Sequence, residues 1–327
     1  MGWVRYFLGL VLALGILWGG YWFVGAHYVD RAVNDWFAEQ KAAGLVADNA
    51  GVSVAGFADR FDMTVTSPHL ADPVTGWGWQ APFAQVFAMT WKPWHLIAAL
   101  PHTQVVDVPG EKVTVASARM MASLLMQPKT GLPPQRLVVE SAGLVLTSDA
   151  NWTVGAEKLV LAAENDLTRA NSLHLGADAT NLTLPANLSN LPDLGPTVST
   201  VHLDATLALS APIAWQMEGA RLAGLTVTQA HITWGTIDLV AQGNVVPDAN
   251  GLASGKIDLD LKGWRSLPGV VVALGVVKPD MKVSITRGLE FLAAASPDPQ
   301  VLHLALTFKD GEMSLGPLPL GPAPRLD

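Results

Sequence analysis

No charged residue interrupts the chain between Tyr6 and Ala26. A helix over those twenty-one positions is about 31 Å long at 1.5 Å per residue, enough to cross a hydrocarbon core of about 30 Å. Two readings compete for residues 1–26: an uncleaved membrane anchor, and a secretory signal peptide cut after Val24-Gly25-Ala26. A signal peptide has an apolar core of about 7–15 residues, shorter than this one. Trp18, Tyr21, Trp22 and Phe23 also stand toward the far end of the run, where an interfacial aromatic belt would sit. Length and flanks therefore favour the anchor.

Orientation does not follow from charge. Arg5 and the free amine lie on one side of the run, Arg31 and Lys41 on the other, and the positive-inside rule gives a draw. Gly15 and Gly19, and likewise Gly9 and Ala13, have the small-xxx-small spacing that lets membrane helices approach closely. Glycine is also simply common in such helices.

Beyond the run, Val29, Val33, Trp36 and Phe37 recur on one helical face. This predicts a juxtamembrane helix over 27–43 ended by Gly44, with its apolar stripe packed on the body that follows. From Val52 the dominant period is two. Phe61, Met63 and Val65, then Val201 to Leu209, Ile257 to Leu261, and Leu302 to Phe308 alternate with more polar residues. Such alternation predicts antiparallel strands with one buried face. Leu144-Val145-Leu146 is apolar throughout and reads as a strand covered on both faces. Pro247 to Gly251 and Asp310-Gly311 read as hairpin turns. Two late helices are expected, one through Val270, Leu274 and Val277, the other through Met281, Ile285, Leu289 and Leu292. Alternation of Met281, Val283 and Ile285 keeps a strand leading into a shorter helix open as well. The fold class is thus mainly β, antiparallel, with an N-terminal transmembrane helix and two late helices. The body spans 44–327, and the proline-rich stretches 128–134 and 185–198 are candidate points of subdivision.

Composition narrows function by exclusion. The net charge of −8 argues against a nucleic-acid partner, which needs a basic stripe. The absence of cysteine rules out disulfides, thiolate metal sites and cysteine nucleophiles. Charged residues make up only 15 %, below the usual quarter, so apolar surface is left for something else to cover. No phosphate loop, nucleophile elbow or zinc-binding helix motif occurs. His95 and His102 are seven apart, the wrong spacing for a helical metal pair, and His202 and His303 fall on polar strand faces. Asp258 and Asp260 share a strand face with Lys262 and read as polar surface. Asn151, Asn181 and Asn187 head glycosylation sequons, which matter only in a eukaryotic secretory pathway. No catalytic residue, metal or cofactor is expected, and the chain is read as not an enzyme.

The remaining candidates are aromatic. Trp77, Trp79, Trp91 and Trp94 fall within eighteen residues. They either line an apolar groove or fill the core beside the first strands. For Trp77 and Trp79 the expectation is one ring buried and one exposed, because Gly76 and Gly78 leave the local conformation open. The tail from Leu315 to Pro324 holds four prolines. It reads as an extended segment docked on a sheet edge, with a partner's groove as the alternative.

Several stretches together resemble a bacterial family catalogued as domain of unknown function 2125. They are the opening anchor, Val54 to Asp62, Gly76 to Phe83, Trp94 to Pro101, and Asp310-Gly311 ahead of Leu315-Gly316-Pro317. The resemblance implies an alphaproteobacterial envelope protein, anchored once in the inner membrane, with its body in the periplasm. It brings no catalytic residues. The leading expectation is a non-enzymatic envelope protein that binds lipid or another apolar ligand. The alternative is an interaction or assembly scaffold for another envelope protein. A continuous apolar groove favours the first, and a flat apolar patch with a polar rim favours the second.

Overall fold

The computed structural model describes all residues except 1, 216–218, 276–277, 295, 297, 317 and 327. Strands dominate it, all paired antiparallel in the registers given below, with one long helix at the start and two late helices. The chain divides into two compact units. One comprises residues 1–128 with 146–151, and the other 129–145 with 152–327.

The first unit opens with α1 (Gly2–Ala42). The apolar run and the predicted juxtamembrane stretch are one continuous helix. Gly44, at φ +93°, ends it. Leu45 N donates to Gln40 O (3.1 Å) and Gly44 N to Lys41 O (3.1 Å), the paired closing bonds that a left-handed glycine permits.

Five long strands follow, each broken near its middle. The halves are β1 (Val46–Asp48) with β2 (Gly51–Ala55), β3 (Arg60–Thr66) with β4 (His69–Ala71), and β5 (Gly78–Gln80) with β6 (Phe83–Met89). They continue with β7 (Lys92–Leu100) and β8 (Thr103–Val108), then β9 (Glu111–Ala116) and β10 (Arg119–Met126). One set of halves pairs β2–β3–β6–β7–β10. The other pairs β1–β4–β5–β8–β9. Pro68, Pro82 and Pro101 stand at the breaks, where a residue without an N–H cannot extend the ladder. Ser67 N to Pro82 O (2.9 Å) and Ala81 N to Pro68 O (3.2 Å) carry the bonding across two of them. The result is a bent five-stranded meander. α1 packs Phe37 and Val33 on Ala47, Val65, Val52, Met63 and Leu70, the apolar stripe read from the sequence.

The second unit takes β11 (Pro134–Ser148) up to Val145. Val145 is exposed, so this segment is not covered on both faces as its composition suggests. The alternation of buried Leu144 and exposed Val145 is that of a one-faced strand. A long meander then runs β12 (Thr153–Asn165), β13 (Ser172–Thr183), β14 (Thr197–Leu209), β15 (Leu222–Trp234), β16 (Ile237–Pro247), β17 (Ala253–Lys262) and β18 (Val301–Lys309). It closes with β19 (Glu312–Leu315) and β20 (Leu318–Pro322), each strand paired with the next. The turns at Pro247 to Gly251 and at Asp310-Gly311 are where the sequence puts them. The proline-rich tail forms β20 on the sheet edge, and Ala253 N donates to Pro324 O at 2.8 Å.

Helices cap one end of this sheet: α2 (Ala186–Ser189), α3 (Leu267–Ala273) and α4 (Lys282–Ala294). α3 ends before Leu274, and Val277 lies outside the described residues. Residues 279–281 form a 3-10 turn ahead of α4, so the alternative strand through Met281 and Ile285 does not form. Under the cap, Trp264 and Leu302 are each 1 % exposed and join Trp234, Ile237, Leu261 and Leu289 in one apolar core.

Candidate functional site

The register of the second unit sorts its side chains into two unlike faces. On the inner face one row runs Leu159, Ala179, Val201, Ile232, Leu239, Leu261, Leu302 across seven strands. The next row is Leu161, Ala177, Leu203, Ala230, Ala241, Leu259, Leu304. Two more follow through Leu175, Ala205, Val227 and Ile257, and through Leu173, Leu207, Leu225, Val245 and Phe308. Bulges keep the rows aligned. Between Val227 and Ala230, β15 carries one extra residue, which moves its apolar set from odd to even numbers while holding it on one face.

The cap buries the first rows near β16 to β18. The tail's Ala323 and Leu326 cover the corner at Val245 and Phe308. Leu173, Leu175, Leu203, Leu207, Leu225 and Val227 lie outside those two clusters and stay half-buried, and Leu161 is 42 % exposed. Four strands at about 4.8 Å spacing and alternate residues over three steps give this area about 300 Å². Most of these side chains are only part-exposed, and Ala205 among them is 2 % exposed. The area is thus a part-open apolar surface, and contiguous apolar surface of this kind often serves binding. Where α4 meets β18 and β19, an apolar cavity of about 260 Å³ opens between Ile285, Leu289, Leu292, Leu304 and Leu315, with exposed Phe291 at its rim.

The outer face is polar and carries four histidine–aspartate pairs. His202 Nδ1 lies 2.7 Å from Asp178, His303 Nδ1 2.5 Å from Asp260, His231 Nε2 3.4 Å from Asp238 and His174 Nε2 3.6 Å from Asp204. Asp258 pairs with Lys256 at 2.6 Å. These are cross-strand pairs of a solvated face. The sequence puts His202 and His303 on polar strand faces, but which Asp each one meets is visible only once the register is known. Among the described residues, no three His, Asp or Glu side chains come together as a metal site.

In the first unit the four tryptophans separate. Trp77 and Trp79 line a wide-mouthed apolar cleft of about 390 Å³ with Trp36, Leu45, Val46 and Leu70. An adjoining cleft of about 340 Å³ shares Trp36, Leu70 and Trp79 and adds Val33, Phe37 and Met63. Trp77 is 56 % exposed, and Trp79 is half-buried. The Trp79 indole N–H donates to Gln104 Oε1 at 2.7 Å. The loop ahead of Trp77 is held by Asp72, whose carboxylate accepts from Val74 N (2.9 Å) and Thr75 Oγ1 (2.8 Å). Those bonds, Thr75's first, hold its pKa below the ordinary carboxylate value. Trp91 is exposed at the turn between β6 and β7, and Trp94 lies half-buried on β7.

His95 and His102 sit on β7 and just after it. His95 Nε2 is 3.0 Å from Ser123 Oγ, and His102 Nδ1 is 2.9 Å from Ser117 O. Each therefore has a structural partner. Burial, with a smaller contribution from Lys92, pushes the His95 pKa below its ordinary value.

The architecture is that of a two-unit antiparallel β protein led by a long apolar helix, with one apolar face on the sheet of its second unit. The profile of one bacterial family, described as "Uncharacterized protein conserved in bacteria (DUF2125)", matches residues 22–324, and the chain belongs to that family. No curated protein and no solved structure matches it.

Proposed function

We propose that this chain is a non-enzymatic envelope protein that is anchored once in the inner membrane by α1 and binds lipid acyl chains through its periplasmic body. The observation that carries the reading is the half-buried apolar area on β12–β15, together with the cavity under α4. Acyl chains suit such a surface because its lining offers apolar area and no array of donors or charges. Anchoring is supported by the apolar window of α1, of which only 6 % is buried against the rest of the chain. A core helix of a soluble protein would be mostly covered.

The test is lipid analysis of the full chain extracted from membranes in mild detergent. Lipid should co-purify, and the double substitution Leu175→Gln with Leu207→Gln should deplete it while melting stays close to that of the parent. Undiminished lipid in that variant overturns the site. Stoichiometric recovery of another envelope protein without lipid favours the scaffold reading instead. The periplasmic placement is tested by C-terminal fusions: an exported phosphatase should be active and a cytoplasm-only reporter silent, and the opposite pair of results reverses the orientation.

A further inference from the structure

Two turns of the first unit reach back to the apolar part of α1. The Trp18 indole N–H donates to Ala58 O at 2.8 Å, the Trp22 indole N–H to Arg60 O at 2.6 Å, and the Tyr21 hydroxyl to Thr90 O at 2.8 Å. Ala58 belongs to the turn between β2 and β3, Arg60 opens β3 just after it, and Thr90 belongs to the turn between β6 and β7. The turns are also tied to each other, since Thr90 N and Thr90 Oγ1 both donate to Asp59 O at 3.0 Å. Phe61 stacks on Trp22 with ring centres 6.1 Å apart, and Phe57 meets Trp22 edge-on at 5.5 Å. The helix is shaped for this seat. A Cβ at Gly25 would lie 2.6 Å from the Phe61 ring, and one at Gly19 would lie 3.7 Å from Phe57. Gly9 and Gly15 meet nothing, so the far half of the helix carries no part of the seat.

The depth of the seat follows from helix geometry. Trp3 and Tyr6 stand at one end of the apolar run, and Trp18 to Trp22 at the other. The separations, fifteen residues between Tyr6 and Tyr21 and nineteen between Trp3 and Trp22, correspond to about 23–28 Å of rise. A hydrocarbon core is about 30 Å thick, with Trp and Tyr enriched at both of its borders. If one aromatic group marks one border, the other group and the turns bonded to it fall at the opposite border. The outward side chains of those turns suit that level: Phe57 is 61 % exposed, Trp91 57 % and Met89 41 %, with Arg60 and Lys92 beside them.

We propose that the β2–β3 and β6–β7 turns form a membrane-contacting edge, with Phe57, Met89 and Trp91 set in the headgroup region of the bilayer that α1 crosses. Rings at that level bury apolar area while charged neighbours stay with the headgroups. The first unit is then held against the membrane through two turns bonded to one helix rather than carried on a free tether. This rests on the reading of α1 as a membrane span.

The chain has no native cysteine, so single labels report position cleanly. Full-length Phe57→Cys, Trp91→Cys, Leu12→Cys and Val74→Cys, each carrying a polarity-insensitive fluorophore, are reconstituted into phosphatidylethanolamine–phosphatidylglycerol vesicles. The vesicles carry nitroxide either at the headgroup or near the acyl terminus. Leu12 is the mid-span control, and Val74, 94 % exposed at the opposite end of the meander, is the aqueous control. Labels at 57 and 91 should be quenched several-fold more by headgroup nitroxide than the label at 74, and little by acyl-terminal nitroxide. Deep quenching at 12 with none at 57 and 91 overturns this edge and leaves the anchor standing. Acyl-terminal quenching at 57 and 91 overturns the headgroup placement. Absence of deep quenching at 12 overturns the membrane span itself, and the edge with it.

Discussion

Truncating Trp79 should damage the first unit far more than truncating its neighbour Trp77, although both rings line the same cleft. Removal of a buried Trp costs about 3–5 kcal/mol. Trp79 is half-buried, so its packing share is about 2 kcal/mol. The change also orphans Gln104 Oε1, which accepts the indole N–H at 2.7 Å in a residue only 5 % exposed. An unsatisfied buried carbonyl costs a further ~1–3 kcal/mol. The total for Trp79→Ala is therefore about 3–5 kcal/mol, a fall in melting temperature on the order of 10 °C or more for a unit of this size. Trp79→Phe keeps most of the ring and should lose only the hydrogen-bond part, about 1–3 kcal/mol. Trp77→Ala, at a mostly exposed ring, should stay within about 1 kcal/mol. Thermal melting of the full chain in detergent, followed by near-ultraviolet circular dichroism, separates the three. Equal shifts for Trp79→Ala and Trp77→Ala would refute the argument that Trp79 holds the cleft wall. A Trp79→Phe variant as stable as the parent would refute the Gln104 part alone.

Trp264→Ala, which removes a 1 %-exposed ring and its bond to Pro299 O at 3.1 Å, should cost about 3–5 kcal/mol, seen as a lowered urea midpoint of the second unit. Burial holds the His95 imidazole below the ordinary histidine value of 6.5. As pH falls through about 6.5 the unfolded chain therefore takes up the proton first, and stability drops until the folded-state pKa is passed. His95→Gln keeps an amide toward Ser123 and should flatten the change in urea midpoint between pH of about 7.5 and about 5. An unchanged slope would show that His95 does not contribute to it.

Legibility from sequence followed how many faces of an element are buried. β17 and β18 are buried mainly on one face, and their alternation is plain in Ile257 to Leu261 and Leu302 to Phe308. β14 alternates as plainly in sequence, Val201 to Leu209, although most of those residues are half-buried. In β7 every residue from Trp94 to Leu100 is half-buried. The stretch shows no period of two, and its histidines invite a helical reading that the strand does not support. The breaks at Pro68, Pro82 and Pro101 split long strands into pieces of three to nine residues, too short for a pattern to declare itself. The apolar area of the second unit was not legible as a site at all. Leu175, Leu207 and Val227 become neighbours only through registers that include the β15 bulge, and nothing local to β15 announces the bulge. The seat on α1 has the same character: Gly25 and Phe61 carry no local signal until the fold brings them together.

The two readings of the N-terminal segment make opposite demands on the first unit. Cleavage after Ala26 would remove Trp18, Tyr21 and Trp22 from a body that is bonded to all of them. Trp22 is 6 % exposed, packed on Phe57 and Phe61. Losing its burial costs about 3–5 kcal/mol, and three hydrogen bonds add about 1 kcal/mol each before discounting for the wet edge. A loss near 5 kcal/mol is a large share of the 5–15 kcal/mol that stabilises a typical domain. A signal peptide makes no such contribution, because the mature fold is reached without it. The family match also begins inside the apolar run, at residue 22. Intact-mass measurement of the protein from membranes should therefore find residues 2–26 retained. A chain expressed to start at His27 should melt well below the full chain and expose Phe57 and Phe61 to an apolar dye. A mature mass beginning at His27, with an undiminished melting temperature, would show that the contacts to Trp22 contribute nothing and that the body works free of the membrane.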